Sequence, residues 1–282
     1  RGWELMVDTK NLVGEFTWDT SLTFSKTNSF WKERLPNYDY QIYQQRENEP
    51  MSAYYYYNVT GIINTDRSNM PESQKTLQAE AQLPGCPIIE DKNKDGKIDE
   101  NDVYMKDNSP AIYVGIGNTF TYKRFEFSFF MYGQFGIQKY NIAYSAAQAG
   151  PLAVDYPENS NKFAYRLWNS QTNPNGSRPG LAIGKMGALP GNAWVNADRE
   201  NASFMRMRNI TLAYNLAGNI LGSLQRYVRN IKVYVDAQNP FILTKFQGFD
   251  PEIYTGGGGA SGGSRGEYPQ TRTFSLGANI TF

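Results

Sequence analysis

The chain contains no histidine, and Cys86 is its only cysteine. No intrachain disulfide can form. A Ser-His-Asp triad, a Cys-His pair and an ordinary zinc site are excluded for want of ligands and bases. Charge of one sign is also lacking: 28 Lys+Arg against 27 Asp+Glu leave about +1 over 282 residues. That balance offers no electrostatic attraction for nucleic acid or an anionic surface. No apolar run approaches the roughly 18 residues that a membrane helix needs. A membrane β-barrel survives this exclusion, because its strands need only about 10 alternating residues. Finally, the sequence opens at Arg1 inside a strand-like pattern, without an initiator Met or a signal peptide, so the first residues of the full protein are expected to be missing.

What the chain does have is aromatic residues, at 15%, with 20 Tyr and 16 Phe. These favour strands and membrane interfaces. Seven segments alternate apolar and polar residues with period two: Gly2–Thr9, Glu15–Thr27, Ala111–Tyr122, Phe125–Phe135, Ser203–Leu216, Asn230–Gln238 and Thr271–Phe282. In the second, Phe16, Trp18, Leu22 and Phe24 alternate with Thr17, Asp19, Ser21, Thr23 and Ser25. The fifth slips: Met205 and Met207 take one parity, Ile210 and Leu212 the other. A bulge, or emergence from the apolar band, accounts for that.

The connections run short, long, short, long, moderate, long. The long ones are Asn28–Pro110, Gly136–Ala202 and Leu243–Gln270. Short turns on one side and long loops on the other are the habit of an outer-membrane barrel. The expected fold is therefore all-β, an antiparallel transmembrane β-barrel with long extracellular loops, apolar residues toward lipid and polar residues toward the lumen. With the long loops outside, the last strand runs inward and Phe282 ends at the periplasmic rim. Seven strands cannot close this barrel, and two open edges in lipid would orphan backbone groups at several kcal/mol each. Residues 1–282 are thus expected to be one portion of a larger barrel, with the 29–110 loop outside.

The stretch "DKNKDGKIDEND", 91–102, has the spacing of a calcium loop. Asp91, Asn93 and Asp95 would offer side-chain oxygens, Lys97 its carbonyl, Asp99 a water-mediated contact, and Asp102 the closing carboxylate. Gly96 permits the sharp turn and Ile98 would anchor the loop inward. The expectation is a structural Ca2+ that clips a long loop and offsets part of its closure entropy. The plainer alternative is a solvated acidic turn. A catalytic role for the ion is not expected, because no nucleophile or base accompanies it.

Several stretches, in order, resemble the SusC/RagA family of TonB-dependent outer-membrane transporters of Bacteroidetes. They are "RGWELMV", "YYNVTGIINT", "DKNKDGKIDENDVYMKDNSPAIYVGIGNTFTYKRFEFSFFMYGQFG", "LWNSQTNPNG", "ASFMRMRNITLAYNL", "VYVDAQNPFILTKFQGFDPEI" and the ending "YPQTRTFSLGANITF". The resemblance implies the C-terminal part of a barrel of about 22 strands, with the plug and the TonB-contacting motif lying outside this chain. It implies no enzyme activity. The implied role is TonB-dependent import of oligosaccharides or peptides across the outer membrane of a Gram-negative cell, under a SusD-like surface lipoprotein acting as lid. A runner-up reading is a secreted soluble β-protein with a dockerin-like calcium loop, binding carbohydrate or a protein partner.

Smaller features have two readings each. Tyr54–Tyr57 would pack the loop, or form a sugar-stacking or lipoprotein-contacting surface. Arg206 and Arg208 would face the lumen and substrate, or snorkel at the rim. Asp250 and Glu252 would form a turn around Pro251, or pair as acids. The Gly-rich stretch at 255–266 reads as a loop tip and not as a phosphate loop. A carboxylate glycosidase would need two acids about 5–10 Å apart, and no segment suggests them.

Overall fold

The computed structural model describes residues 1–35, 39–44, 47–109, 112–141, 165–180, 186–248, 250–252 and 269–282. The strands, in chain order, are β1 (Gly2–Leu12), β2 (Phe16–Thr27), β3 (Ala53–Tyr57), β4 (Val59–Ile62), β5 (Pro87–Ile89), β6 (Tyr104–Asp107), β7 (Ile112–Tyr122), β8 (Phe125–Phe135), β9 (Gln138–Tyr140), β10 (Trp194–Val195), β11 (Arg199–Asn201), β12 (Phe204–Ala217), β13 (Asn230–Gln238), β14 (Ile242–Thr244) and β15 (Thr273–Thr281). Among the described residues the helices are 3₁₀ turns, and none is long and apolar enough to cross a membrane.

Seven long strands build one antiparallel wall in the order β1-β2-β7-β8-β12-β13-β15, with β14 added beside β12. They coincide with the seven alternating segments to within a few residues. Alternation alone puts each strand's apolar residues on one side. The register decides whether those sides agree, and they do. One row runs Leu12, Trp18, Phe120, Phe127, Leu212, Val235 and Leu276 across all seven strands. The row below it runs Phe16, Tyr122, Phe125, Tyr214, Val233 and Ala278. A one-residue slip anywhere would invert a strand, so the register is strongly specified.

The expected slip in β12 is a bulge between Met207 and Asn209 in its pairing with β8. Arg208 is the additional residue there, and it restores the apolar parity for Ile210 and Leu212. A second bulge in β1 makes Asn11 the extra residue. Beside it the apolar face carries a polar interruption. Thr9 donates to Asn11 Oδ1 (2.9 Å), Asn11 to Thr20 Oγ1 (2.7 Å), Thr20 to Asn118 Oδ1 (2.7 Å), and the Trp18 indole to the same oxygen (2.8 Å). Polar groups on an apolar surface satisfy one another when water is scarce.

The polar face carries the ion pair Lys232–Glu126 at 2.8 Å and the Thr211–Asp236 hydrogen bond at 2.7 Å. Here Gly115 and Gly117 make room for the Phe130 ring, and Gly277 for Tyr234, so any larger side chain at Gly115 or Gly277 would collide.

The long connections are not plain loops. The segment between β2 and β7, with residues from the β8–β12 connection, forms a compact module. Its sheets are β10-β3-β6 and β4-β5. Its core contains Tyr57, Ile63, Leu77, Cys86, Ile89, Ile98, Val103, Met186 and Leu189, all buried. The β10–β3 pair is parallel and joins Trp194 to Tyr56 across a long stretch of chain. A third small sheet, β11-β9, carries the β8–β12 pairing beyond the wall.

Candidate functional site

The wall presents its apolar side chains outward. Leu212 is 50% exposed, Val235 53%, Leu276 78% and Phe274 72%. In a water-soluble domain such residues would be covered, and a contiguous apolar face of this extent marks contact with a membrane or a partner. Phe16, Tyr122, Phe125 and Tyr214 gather next to the short β1–β2 and β7–β8 turns, with Phe125 and Tyr214 edge-on at 4.7 Å. Aromatic residues at one end of an apolar band form the girdle typical of barrel walls.

The acidic loop sits on the module, just before β6. Its first half is a nest of Asx turns. Asp91 accepts from the Asp95 and Gly96 amides (3.2 and 2.9 Å), Asn93 Oδ1 from the Asp95 amide (3.1 Å) and Asp95 from the Lys97 amide (3.1 Å). Gly96 takes φ +86°, which suits glycine. The second half is a cap on the 3₁₀ turn Glu100–Asp102. Asp99 Oδ1 accepts from the Asn101 amide and Asp102 Oδ2 from the Asp99 amide, both at 2.8 Å. Asp102 Oδ1 accepts from the Lys92 amide at 2.8 Å, which ties the halves together, and Asp102 is fully buried. The Asn101 amide, helped by Lys97 and opposed by desolvation, holds the Asp99 carboxyl below its ordinary range.

Ile98 is buried in the module core, as the spacing predicts. The Lys97 side chain leans over the loop, 3.4 Å from Asp99 and 4.0 Å from Asp95, while remaining 58% exposed. Asp91, Asn93 and Asp95 thus share one turn, whereas Asp99 and Asp102 spend oxygens on the cap. Among the described residues no three His, Cys, Asp or Glu side chains gather in a metal-holding group. The side-chain oxygens of Asp91, Asn93 and Asp95 in this turn are of the type a hard cation takes, and the Asn93 side-chain nitrogen also donates to Asp95 Oδ2 at 3.0 Å.

The four tyrosines divide by strand parity. Tyr57 is fully buried and donates to the carbonyls of Asp99 and Pro190, both at 3.0 Å. Burial raises its hydroxyl pKa. Tyr55 donates to the buried Glu49, and burial followed by that bond pushes it up to about 12. Tyr56 stacks between Tyr54 at 5.1 Å and Tyr104 at 5.7 Å, and the stack is closed by Arg199 over Tyr54 (3.6 Å) and Lys92 over Tyr104 (4.5 Å). The ring faces that a sugar would need are taken, so packing is their role.

Arg206 lies on the polar face of β12, opposite Tyr132, and is 3% exposed. Its Nη2 reaches Asp250 Oδ1 and Oδ2 at 2.7 and 2.8 Å. Its Nε touches Glu252 Oε2 without the alignment of a hydrogen bond. Asp250 also accepts from the amides of Glu252 (2.9 Å) and Gln270 (3.2 Å). Arg206 therefore neither snorkels nor waits for a ligand. The turn at Pro251 is present, and both acids face the guanidinium. Desolvation raises the Glu252 carboxyl. Arg208 instead donates to Asn239 Oδ1 at 3.1 Å across the bulge. The Gly-rich stretch at 255–266 lies outside the described residues.

Together these features define a piece of an antiparallel β-barrel wall bearing a folded module on its long-loop side. No family model matches the sequence. The chain is 26% identical to TonB-dependent receptor P3 of Formosa agariphila and 27% identical to TonB-dependent receptor SusC of Bacteroides thetaiotaomicron, each over 100% of this chain. TonB-dependent receptor P26 of Formosa agariphila is 30% identical over 75% of it. The RagAB peptide transporter structure superposes over 100% of the chain with a TM-score of 0.67 at 18% identity, covering 29% of that neighbour, and shares the fold. The chain is related along its whole length to TonB-dependent receptors of the SusC/RagA type. It spans 28% and 26% of the lengths of P3 and SusC.

Proposed function

We propose that this chain is the C-terminal barrel portion of a TonB-dependent importer of the outer membrane. The observation that carries this reading is the apolar face shared in register by all seven wall strands and left exposed. The outer edges of β1 and β15, at the ends of the wall, would pair with further strands to close a barrel of about 22, since open edges are not tolerated in lipid. The polar face lines the lumen and the module faces the medium. A plug and a TonB-contacting motif, supplied by other parts of the full receptor, would couple transport to the proton-motive force. A SusD-like lipoprotein would cover the outer mouth. The cargo would be oligosaccharides or peptides. The chain would carry no catalysis of its own.

The same reading includes a structural Ca2+ held by Asp91, Asn93, Asp95 and the Lys97 carbonyl, with Asp99 through water and Asp102 closing the loop, a role in which Asp102 would have to turn from the Lys92 and Asp99 amides that it now accepts from. The side-chain oxygens of Asp91, Asn93 and Asp95 in one turn and the inward anchor Ile98 support it. The ion would stiffen the turn that leads into β6.

The test is purification of the full-length receptor from native outer membranes. The expected result is a detergent-dependent protein with heat-modifiable mobility, accompanied by a lipoprotein and by bound glycan or peptide identifiable by mass spectrometry. A folded, monodisperse protein in plain buffer would overturn the assignment. For the ion, calcium should protect the 91–102 loop from proteolysis and EGTA should remove that protection. Equal cleavage with and without the ion would leave the loop as an acidic turn.

A further inference from the structure

Residues 245–248 leave β14 toward the module side, and residues 250–252 meet the wall. Toward the wall, Asp250 and Glu252 meet Arg206 on β12. Toward the module side, the Gln247 amide donates to Glu200 Oε2 on β11 at 3.1 Å, and Arg166 donates to the Gln247 side chain. Glu200 in turn pairs with Arg178 at 3.1 Å and accepts from Asn141 at 3.1 Å. One short strap thus touches both the wall and the residues that extend from it.

The wall side of the strap is built for tenacity. Arg206 is a planar guanidinium with several donors in fixed geometry, so one side chain can serve two carboxylates. It is nearly sealed from water, with Phe204 beside it and Tyr132 edge-on to Phe204 at 5.7 Å. Asp250 is a hub: its two oxygens join β12, the turn at Pro251 and the lead into β15 through Gln270. Ahead of the strap β14 pairs with β12 over three residues, and Thr244 donates to the Ser203 carbonyl (2.8 Å) and accepts from the Phe246 amide (3.1 Å), so beyond Phe246 the clasp is the contact with the wall that the variants test. Removing one member of a buried ion cluster leaves the others charged and unpaired, so the strap should respond to such a change as a unit.

We propose that Arg206, Asp250 and Glu252 form an ionic clasp that pins residues 250–252, and through them the strap that follows β14, to the polar face of β12 beside the β9–β11 extension. The clasp uses the acids as internal partners of Arg206 and takes that arginine out of the set available to cargo. Only the identification of the polar face as the lumen rests on the functional reading above. The pinning itself rests on the contacts.

The experiment places a single cysteine at Phe246 in the full-length receptor in outer-membrane vesicles and measures maleimide labelling. Cys86 is buried, and burial pushes its thiol up to about 11, so it contributes little background. The expected result is labelling at least tenfold faster in F246C/D250N than in F246C, with smaller increases in F246C/R206K and F246C/E252Q. An L276C variant probes the wall separately: protection of that site from a water-soluble reagent depends on the membrane reading and not on the clasp. Mobility of the unheated protein reports whether each variant has folded. If D250N fails to fold, R206K and E252Q decide the matter. Labelling of F246C at one rate in all the folded variants would overturn the clasp, even with L276C protected.

Discussion

Leu212 and Ile63 are both large aliphatic residues on or beside strands, yet Leu212 is 50% exposed and Ile63 is 0% exposed. The difference follows the regions they belong to. In the wall, alternation and register send apolar side chains outward in continuous rows, and the polar face carries the ion pairs. In the module, the apolar side chains converge on Tyr57, Ile63, Cys86 and Val103, while the acidic loop stays at the surface. The module buries its apolar side chains and the wall exposes them, within one chain. Composition alone does not separate them, because the whole chain averages to 40% apolar residues. The separation lies in the period and in the length of the alternating runs.

The largest expected effect tests the module side. Tyr57→Ala would empty a fully buried site and lose two hydrogen bonds, and should cost about 3–5 kcal/mol of module stability. It should expose the module to protease while leaving the heat-modifiable mobility of the barrel unchanged. Loss of both together would show that wall and module are one cooperative unit. Next in size is Leu212→Arg. A half-exposed leucine on a soluble surface would tolerate this within about 0.5 kcal/mol, whereas on a lipid-facing strand, one pair in from the aromatic row, it should cost more than that, toward the about 2–4 kcal/mol of a midplane site. Urea unfolding of the receptor refolded into lipid vesicles measures it, and a neutral result would remove the contrast. Asp102→Ala comes third. It would orphan the Lys92 and Asp99 amides, at about 1–3 kcal/mol for a lost buried acceptor, and hydrogen exchange at those amides should quicken while the wall strands stay protected.

The smallest effect is a pH dependence confined to the connection near the module. Asp198 is half-buried, with Oδ1 sealed from solvent and unpartnered; desolvation pushes its carboxyl up to about 6, against the favourable charge of Arg178. A raised carboxyl pKa means that its stabilising contribution is present below the ordinary value near 3.8 and is lost as pH rises through about 6. The Asn141 amide, which donates to the Asp198 carbonyl at 2.8 Å, should exchange progressively faster between pH 4 and 7 once intrinsic rates are divided out. Asp198→Asn should flatten that trend. A slope unchanged in the variant would assign it to another group.

Much of the wall was legible in the sequence, because its strands are long and alternate cleanly. Phe125–Phe135 and Asn230–Gln238 coincide with β8 and β13 residue for residue. The bulge in β12 was readable from the parity conflict between Met207 and Ile210. The module's strands leave no such signal, and the sequence shows loop there. These strands are short, from two residues in β10 to five in β3, and too brief for a period to register. The parallel pairing of β10 with β3 depends on contacts between distant parts of the chain. For the acidic loop, spacing correctly foretold the inward Ile98 and the turn at Gly96. It did not foretell that Asp99 and Asp102 cap a 3₁₀ turn, since the same residue types serve caps and cations alike. The partners of Arg206 were hidden for a similar reason. Asp250 lies 44 residues away, and nothing local distinguishes a paired arginine from a snorkelling one.

In the proposed importer the exposed apolar face of the wall meets lipid. Spin labels placed one at a time along β2 and β15 in the full-length receptor in bilayers test it directly. Oxygen accessibility should peak at Leu22, Phe24, Leu276 and Ile280, and accessibility to a water-soluble nickel chelate should peak at Ser21, Thr23, Ser275 and Asn279. This would give a period of two in opposite phase for the two probes. Equal access of the nickel chelate to both sets of positions would contradict the account.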